Sequence, residues 1–450
     1  MVRNFRHSLT HCATLATLLT MGLAAAPAGA QSLVEMVELA QGFDAPWLSS
    51  RAALDAAEHK GVQAKSGLLP SVGAQAGANY TRTELHPNVP GVLGSAHQQS
   101  AAIQASQPLY RPANTIAYRQ GQRNVELARA QLDAATQDLL VRVSQGYFDV
   151  LAAQDTLTTV QAQKRAVREQ LEFAQRNFDI GAATITDQRE AQARHDLVEA
   201  QEIAATNDLQ VKRLALEQLV GKSPLQPRPL AQPVQLPAVQ PATVAPWVEQ
   251  AENDQPLVRQ ARLALDMAEL ETRKAETGHL PTVDLQASYG VQRNPDGTTT
   301  IPIKNRIHQG QVGVTLNMPL FAGFAVQNRV KETLSLEEKA RADLDNARRQ
   351  SAQAARQAFY GVQSGTGQVK ALEAAVASSQ SALEANQLGY QVGVRINVDV
   401  LNAQSQLYQA QRDLAQARYN VLVGQLKLRQ AAGQLQMQDI HGLNQLIARP

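Results

Sequence analysis

The sequence is poor in the residues that most chemistry and most compact cores require. It holds one cysteine, Cys12, so neither a disulfide nor a thiolate metal site is available beyond that position. Its histidines are scattered, with no HExxH and, past residue 30, no pair at helix spacing, so the pattern of a zinc site is missing. No serine, histidine and acid constellation presents itself, and no enzymatic chemistry or cofactor is expected. Aromatic residues make up 4% of the chain, few for large compact cores. Alanine, glutamine and leucine dominate instead, a composition that favours long helices. Apolar runs of about 18 residues, the length of a membrane-spanning helix, are confined to the first 30 residues. That segment opens with Arg3 and Arg6, is mostly apolar from Leu9 to Ala26 and closes on Ala28-Gly29-Ala30. It has the pattern of a secretory signal peptide spanning 1–30, with a mature start near Gln31. Cys12 lies inside the apolar run rather than at its end, which argues against a lipid anchor. An excess of one charge is also lacking: the leader holds two arginines and no acids, leaving 40 basic against 40 acidic residues. A balanced chain gives no electrostatic reason to expect nucleic acid.

What is present is periodicity. From Tyr390 to Gly433 a turn carrying Gly393 and Arg395 leads into a helical pattern that starts at Asp399. Val400, Leu407, Leu414, Val421 and Leu428 recur with a period of 7, and Ala403, Ala410, Ala417, Gly424 and Ala431 follow them three places on. A sustained heptad predicts a left-handed coiled coil, and small residues at every second seam position predict close approach of the partner helix.

The chain is duplicated. LLPSVGAQAGANYTR (68–82) matches HLPTVDLQASYGVQR (279–293), and Pro108-Leu109-Tyr110 matches Pro319-Leu320-Phe321, all at an offset of 211. Further on the offset is 212, placing Gly181 on Gly393, Asp187 on Asp399 and Gly221 on Gly433. AALDAAE (52–58) likewise matches LALDMAE (263–269). Alanine-rich helices alike by chance would not preserve turns and prolines in register. The expected organisation is a first repeat over 31–221, a connector over 222–246 with seven prolines, a second repeat over 247–433, and a C-terminal equatorial segment over 434–450.

Each repeat predicts a helix, a strand pair, a long helix, a turn and a second long helix. In the first, an Ala-rich helix runs from about Leu33 to Lys65. Val72, Ala74, Ala76, Ala78 and Tyr80 then alternate with polar or glycine residues, and after a loop (His86 to Ser95) a return strand ends at Pro108. In the second, Val283 to Val291 alternate, as do Val312, Val314, Leu316 and Met318. Period two marks strands with one apolar face, long enough to cross a bilayer when tilted. Proline-free helices follow over about 113–178 and 325–390. Val160, Val167, Leu171 and Phe178 hold seam spacing in the first, and Leu372, Val376, Leu383 and Tyr390 in the second. Gly365-Thr366-Gly367 predicts a local bend, and the connector an extended path over the surface.

Gly221-Lys222-Ser223 has the end of a phosphate-binding loop, but Leu216 stands where that pattern needs glycine, so a helix C-cap is expected. The turns IGAATITD (180–187) and VGVRINVD (392–399) are more informative. Each places an aspartate at a helix start, where an N-cap is the ordinary role. Asp399 also stands beside Arg395 and Tyr390, at the end of the strictest seam and farthest from the strands.

The repeat plan, the strand-ending PLY and PLF, and the pattern from Tyr390 through Gly393 to Asp399, Leu401 and Ala403 resemble the TolC family of outer-membrane export channels. The similarity covers essentially the whole chain after the leader. It implies a mainly α fold with a membrane β-barrel: a homotrimer, each chain giving four strands to one twelve-stranded barrel, continued by a coiled-coil tunnel through the periplasm. It further implies location in the outer membrane of a Gram-negative cell, lipid contact at the barrel, a periplasmic adaptor, and an inner-membrane pump of the ABC or proton-driven kind. The missing lipid-attachment cysteine and the close match at the second turn favour the member that serves both kinds of pump. By the same resemblance Tyr390 and Arg395 would link to Thr186 and Asp187 as a latch at the tip turns, Gly181 and Gly393. Asp399 would line the narrowest point of the pore. A second acidic position of the family is Asn402 here, so one ring of carboxylates beside one ring of amides is expected. The alternative is a periplasmic or surface coiled-coil spacer without a pore, which explains the heptads but not the strand pairs.

Overall fold

Alternating segments, prolines and capping residues divide the chain into two runs of equivalent elements. The computed structural model describes residues 30–82, 95–231, 233–298, 301 and 303–448. The expected leader as far as Gly29, with Cys12, and the loop residues His86–Gly94 lie outside the described residues. The first run is α1 (Leu33–Gln41), α2 (Ala45–Ala64), β1 (Ser71–Arg82), β2 (Ser95–Tyr110), α3 (Pro112–Asp179) and α4 (Ile185–Val220). The second is α5 (Val244–Asp254), α6 (Pro256–Glu276), β3 (Thr282–Asn294), β4 (Asn305–Asn317), α7 (Ala325–Gln391) and α8 (Asn397–Ala431), and α9 (Met437–Asn444) follows.

The strands form one antiparallel sheet in the order β1-β2-β3-β4. Its register sets Val72, Ala105, Ala287 and Val312 in one row and Gly73, Gln104, Ser288 and Gln311 in the next. Successive residues face opposite sides, so one face is apolar and the other polar. A concavity on the sheet takes most of its lining from the polar rows, including Ser71, Gly73, Gln104, Gln286 and Thr315. Val312, Val314 and Leu316 are exposed on the other face. β2 runs past its expected end at Pro108 to Tyr110, because the register shifts between those residues and an irregularity tolerates a proline that has no N–H to give. At the exit Arg111 grips Asp284 of β3 with two bonds, 2.8 and 2.6 Å. No helix among the described residues is long and apolar enough to cross a membrane.

Pro112 then starts α3 where a missing N–H costs nothing. With 68 residues, α3 extends about 100 Å. α7 and α8 pair along Val400, Leu407, Leu414, Val421 and Leu428, all buried, with Ala403, Ala410 and Ala417 buried beside them. α3 and α4 pair through Val160, Val167, Ala174, Ala191 and Val198, and Leu401 of α8 joins that cluster. α8 is therefore buried on a second face as well as along its heptad. Phe178 remains exposed at the end of the first seam.

Three expectations are corrected. The helix expected from Leu33 to Lys65 is broken after Gln41. Asp44 caps the new helix through Trp47 N at 3.0 Å, and its carboxylate takes both arms of Arg142 at 2.8 and 2.9 Å. The connector is not wholly superficial: Leu225 and Leu230 enter the main core with Leu33, Phe148, Leu422 and Ile440. Tyr147 donates its hydroxyl to the Arg228 carbonyl at 2.8 Å, fastening that segment, and helix α5 begins within the connector's last residues. Finally, α7 passes through Gly365-Thr366-Gly367 unbroken. Gly365 is there for close approach, since a Cβ on it would stand 3.0 Å from Val421 Cγ2. The C-cap expectation holds: Gly221 ends α4 with φ 74°.

Candidate functional site

The ends of the two coiled coils farthest from the sheet are turns of one design. Gly181 has φ 77° and Gly393 φ 78°, a left-handed conformation that a side chain would strain. The hydrogen bonds superpose too. Ala182 and Ala183 N–H donate to the Asn177 carbonyl at 2.7 and 3.1 Å, and Val394 and Arg395 N–H donate to Gly389 at 2.8 and 3.1 Å. Gly389 has no room for a side chain, because a Cβ would stand 2.7 Å from Arg395 Cγ.

On this common backbone the side chains diverge. At an offset of 212, Tyr390, Arg395 and Asn397 stand where the first repeat has Phe178, Ala183 and Ile185. Tyr390, Arg395 and Asn397 are thus polar where the first repeat is apolar or lacks the polar group, while Thr184, Thr186 and Asn177 of the first repeat stand against Ile396, Val398 and Gly389 of the second. Tyr390 packs edge-on against Phe173 of α3 with ring centres 5.7 Å apart, with the Asn177 side chain near its hydroxyl. Burial, then the nearby Asp187 carboxylate, push the phenol above its ordinary range, against the pull of the Asn177 amide. Tyr390 therefore ties the second coil to the first.

Neither aspartate is an N-cap. Thr184 caps α4, and Asp187, three residues on, closes a capping box by accepting from Thr184 N at 3.1 Å and Thr184 Oγ1 at 2.7 Å. Thr186 Oγ1 lies 2.5 Å from Thr184 Oγ1. Ile396 precedes α8 and gives no side-chain cap. Asp399 sits in the first turn of α8, where a negative charge suits the helix dipole, and pairs with Arg395 at 3.6 Å. Within one chain, then, Arg395 meets Asp399 and not Thr186 or Asp187. Asn402 accepts from Arg194 of α4 at 2.9 Å.

Sequence reasoning passed over Asn177, Gln170, Arg194 and Asn397. Comparison of the two repeats residue by residue would have exposed Asn397, Gln170 and Asn177, whose counterparts are Ile185, Ala382 and Gly389; Arg194, opposite Gln406, carries no such signal. On α4, His195, Asp196 and Glu199 bring ligand atoms within 4.8 Å of one another, but Glu199 already accepts from Lys164 at 3.0 Å.

A four-stranded sheet with one apolar face, joined to two coiled coils that converge on a polar tip, defines a subunit of an outer-membrane channel continued by a helical tunnel. The chain belongs to the outer membrane efflux protein family, whose model matches residues 47–222 and 247–434. It is 32% identical to outer membrane protein TolC of Escherichia coli over 94% of this chain and 86% of that protein. It is 30% identical to the proteases secretion protein PrtF of Dickeya chrysanthemi, over 94% of this chain and 93% of that one. The fold matches the crystal structure of outer membrane protein VceC from Vibrio cholerae with a TM-score of 0.77 at 20% identity, covering 89% and 96% of the two chains. The protein is thus an outer-membrane channel of a Gram-negative cell that extends into the periplasm. Its relatives are channel proteins, and channels of this type are trimeric and work with adaptors and inner-membrane pumps.

Proposed function

We propose that three copies of this chain close a twelve-stranded barrel and a tunnel that carries substrates from an inner-membrane pump, through an adaptor docked at the turns, to the outside. The repeat over 31–221 supplies the outer coil and the repeat over 247–433 the gating coil. The pump is of the ABC or proton-driven kind, and the likeness to a protease secretion protein supports polypeptides among the cargo. The observation that carries the gate is the contrast between the two turns: one backbone design, with Tyr390, Arg395 and Asn397 of the second standing where the first has Phe178, Ala183 and Ile185. Tyr390 holds that turn to α3 within the chain. Arg395, Thr186 and Asp187 complete the latch between subunits, and Asp399 with Asn402 lines the constriction. A spacer without a pore would give the apolar face of the sheet nothing to do.

Exposed ion pairs are worth about 0–1 kcal/mol each, so the links must act together. Replacing Tyr390 by Phe and Arg395 by Glu removes the hydroxyl and sets a carboxylate beside Asp399. The expected outcome in planar bilayers is a higher single-channel conductance than the parent. A double variant that conducts like the parent overturns the gate.

A further inference from the structure

Asn397 is the first residue of α8 and is 1% exposed. Its Oδ1 accepts from Gln170 Nε2 of α3 at 2.5 Å, and its Nδ2 donates to the Asp187 carbonyl in the first turn of α4 at 3.3 Å. One side chain thereby joins the start of α8 to both helices of the other coil. Burying an amide is unfavourable unless its polar ends are bonded, and here each end has a partner.

The duplicated position sharpens the point. Ile185 begins α4 as Asn397 begins α8, and Ile185 is 45% exposed. The first repeat exposes an apolar residue where the second buries a polar one, so helix initiation does not require the amide. Packing does not require it either, since Leu401, one turn on, is buried among Val160, Val167 and Val198. Apolar contacts tolerate sliding, whereas hydrogen bonds are directional and are lost when α8 leaves α3 and α4.

We propose that Asn397 is a latch and positioning residue of the gate, fixing the start of α8 against Gln170 and the Asp187 carbonyl within each subunit while the tip is closed. This rests on the gating reading above. It adds a lock inside each chain, placed behind Tyr390 and Arg395 rather than between subunits.

The test uses the full-length trimer in planar bilayers, with Asn397→Val, Gln170→Ala, the two combined, Ile185→Val as control, and the Tyr390→Phe, Arg395→Glu double variant. Loss of a buried bond of this kind should raise the open-state population about tenfold. Asn397→Val and Gln170→Ala should each show the rise. Their combination should add little to Asn397→Val alone, because that variant already removes the Gln170 bond, and Ile185→Val should stay at the parent level. A merely structural asparagine would lower the yield of trimer without that non-additivity. If Asn397→Val does not assemble, Gln170→Ala alone still decides by its conductance. Parent-like conductance in the Asn397 and Gln170 variants, with a rise in the Tyr390, Arg395 variant, overturns this inference and leaves the gate standing. Independent, additive effects at 397 and 170 overturn it as well. No rise in any variant overturns the gate itself and this inference with it.

Discussion

Tyr419 of α8 donates its hydroxyl to Asp155 Oδ2 of α3 at 2.7 Å, another polar link between the coils. Burial raises the Asp155 pKa above the ordinary carboxylate range, and the Tyr419 bond offsets only part of that. A carboxyl raised on folding contributes stability that is fully present below its unfolded pKa, near 4, and is lost as pH rises through the folded value. At neutral pH the charge on Asp155 therefore works against the fold. Asp155→Asn should raise the melting temperature at pH 7, and the gap from the parent should close as pH falls below about 4. A lower melting temperature for the variant at pH 7 would show that the ionised bond outweighs burial. Asp44 has the opposite sign: the Arg142 guanidinium holds it below the usual range despite burial, so that pair stabilises above the unfolded pKa and weakens as acid reaches the folded one. The pairing in links of this kind was invisible in the sequence, even where a single partner stood out. Asp44 and Arg142 are 98 residues apart, and Gln170 and Asn397 are 227 apart; pairs so distant leave no periodic trace.

Elements were legible where their signal is local. The heptad of α8 repeats every 7 residues and each of its large positions is buried. The strands were legible because alternation and closing prolines need no partner to be seen. The second buried face of α8 was not, since Leu401, Leu422 and Leu426 fall outside the heptad and have meaning only once α3 lies beside them. The break before Asp44 was legible but passed over, since Gly42 ends one helix, Asp44 caps the next and Pro46 lies in its first turn. Gly365 looks like a helix breaker and acts as a spacer, as Gly424 does at its seam position. A Cβ on Gly365 would meet Val421 Cγ2 at 3.0 Å, and one on Gly424 would meet Val362 Cγ2 at 3.2 Å. Each glycine faces a valine three positions from the other helix's glycine, so the helices close at two levels about one turn apart. Gly424→Leu forces them apart, with an expected destabilisation of about 1–3 kcal/mol. Thermal unfolding of the purified trimer measures it, and an unchanged melting temperature would mean that the seam has slack at that level.

At the scale of the whole molecule, the sheet dictates the assembly. β1 and β4 are the outer strands of the sheet among the described residues, and unpaired backbone groups in lipid cost several kcal/mol each, which is what the proposed closure by further copies avoids. In the proposed trimer every tip residue repeats around one axis, and the charge at the proposed constriction is set by few groups. Asp399 contributes one carboxylate per chain, and Arg395 at 3.6 Å offsets part of it. Asn402 contributes none, and its oxygen is occupied by Arg194 at 2.9 Å. Asp399→Ala should therefore remove most cation preference, read as the reversal potential in a salt gradient across a planar bilayer. A new carboxylate at 402 would meet a guanidinium already in place, so Asn402→Asp should shift the reversal potential little. Asn402→Asp combined with Arg194→Ala should shift it further towards cations and strengthen block by trivalent cations, since two adjacent acidic rings would then stand without a compensating charge at the second. Unchanged selectivity in Asp399→Ala would reduce that residue to a charge that favours the start of a helix.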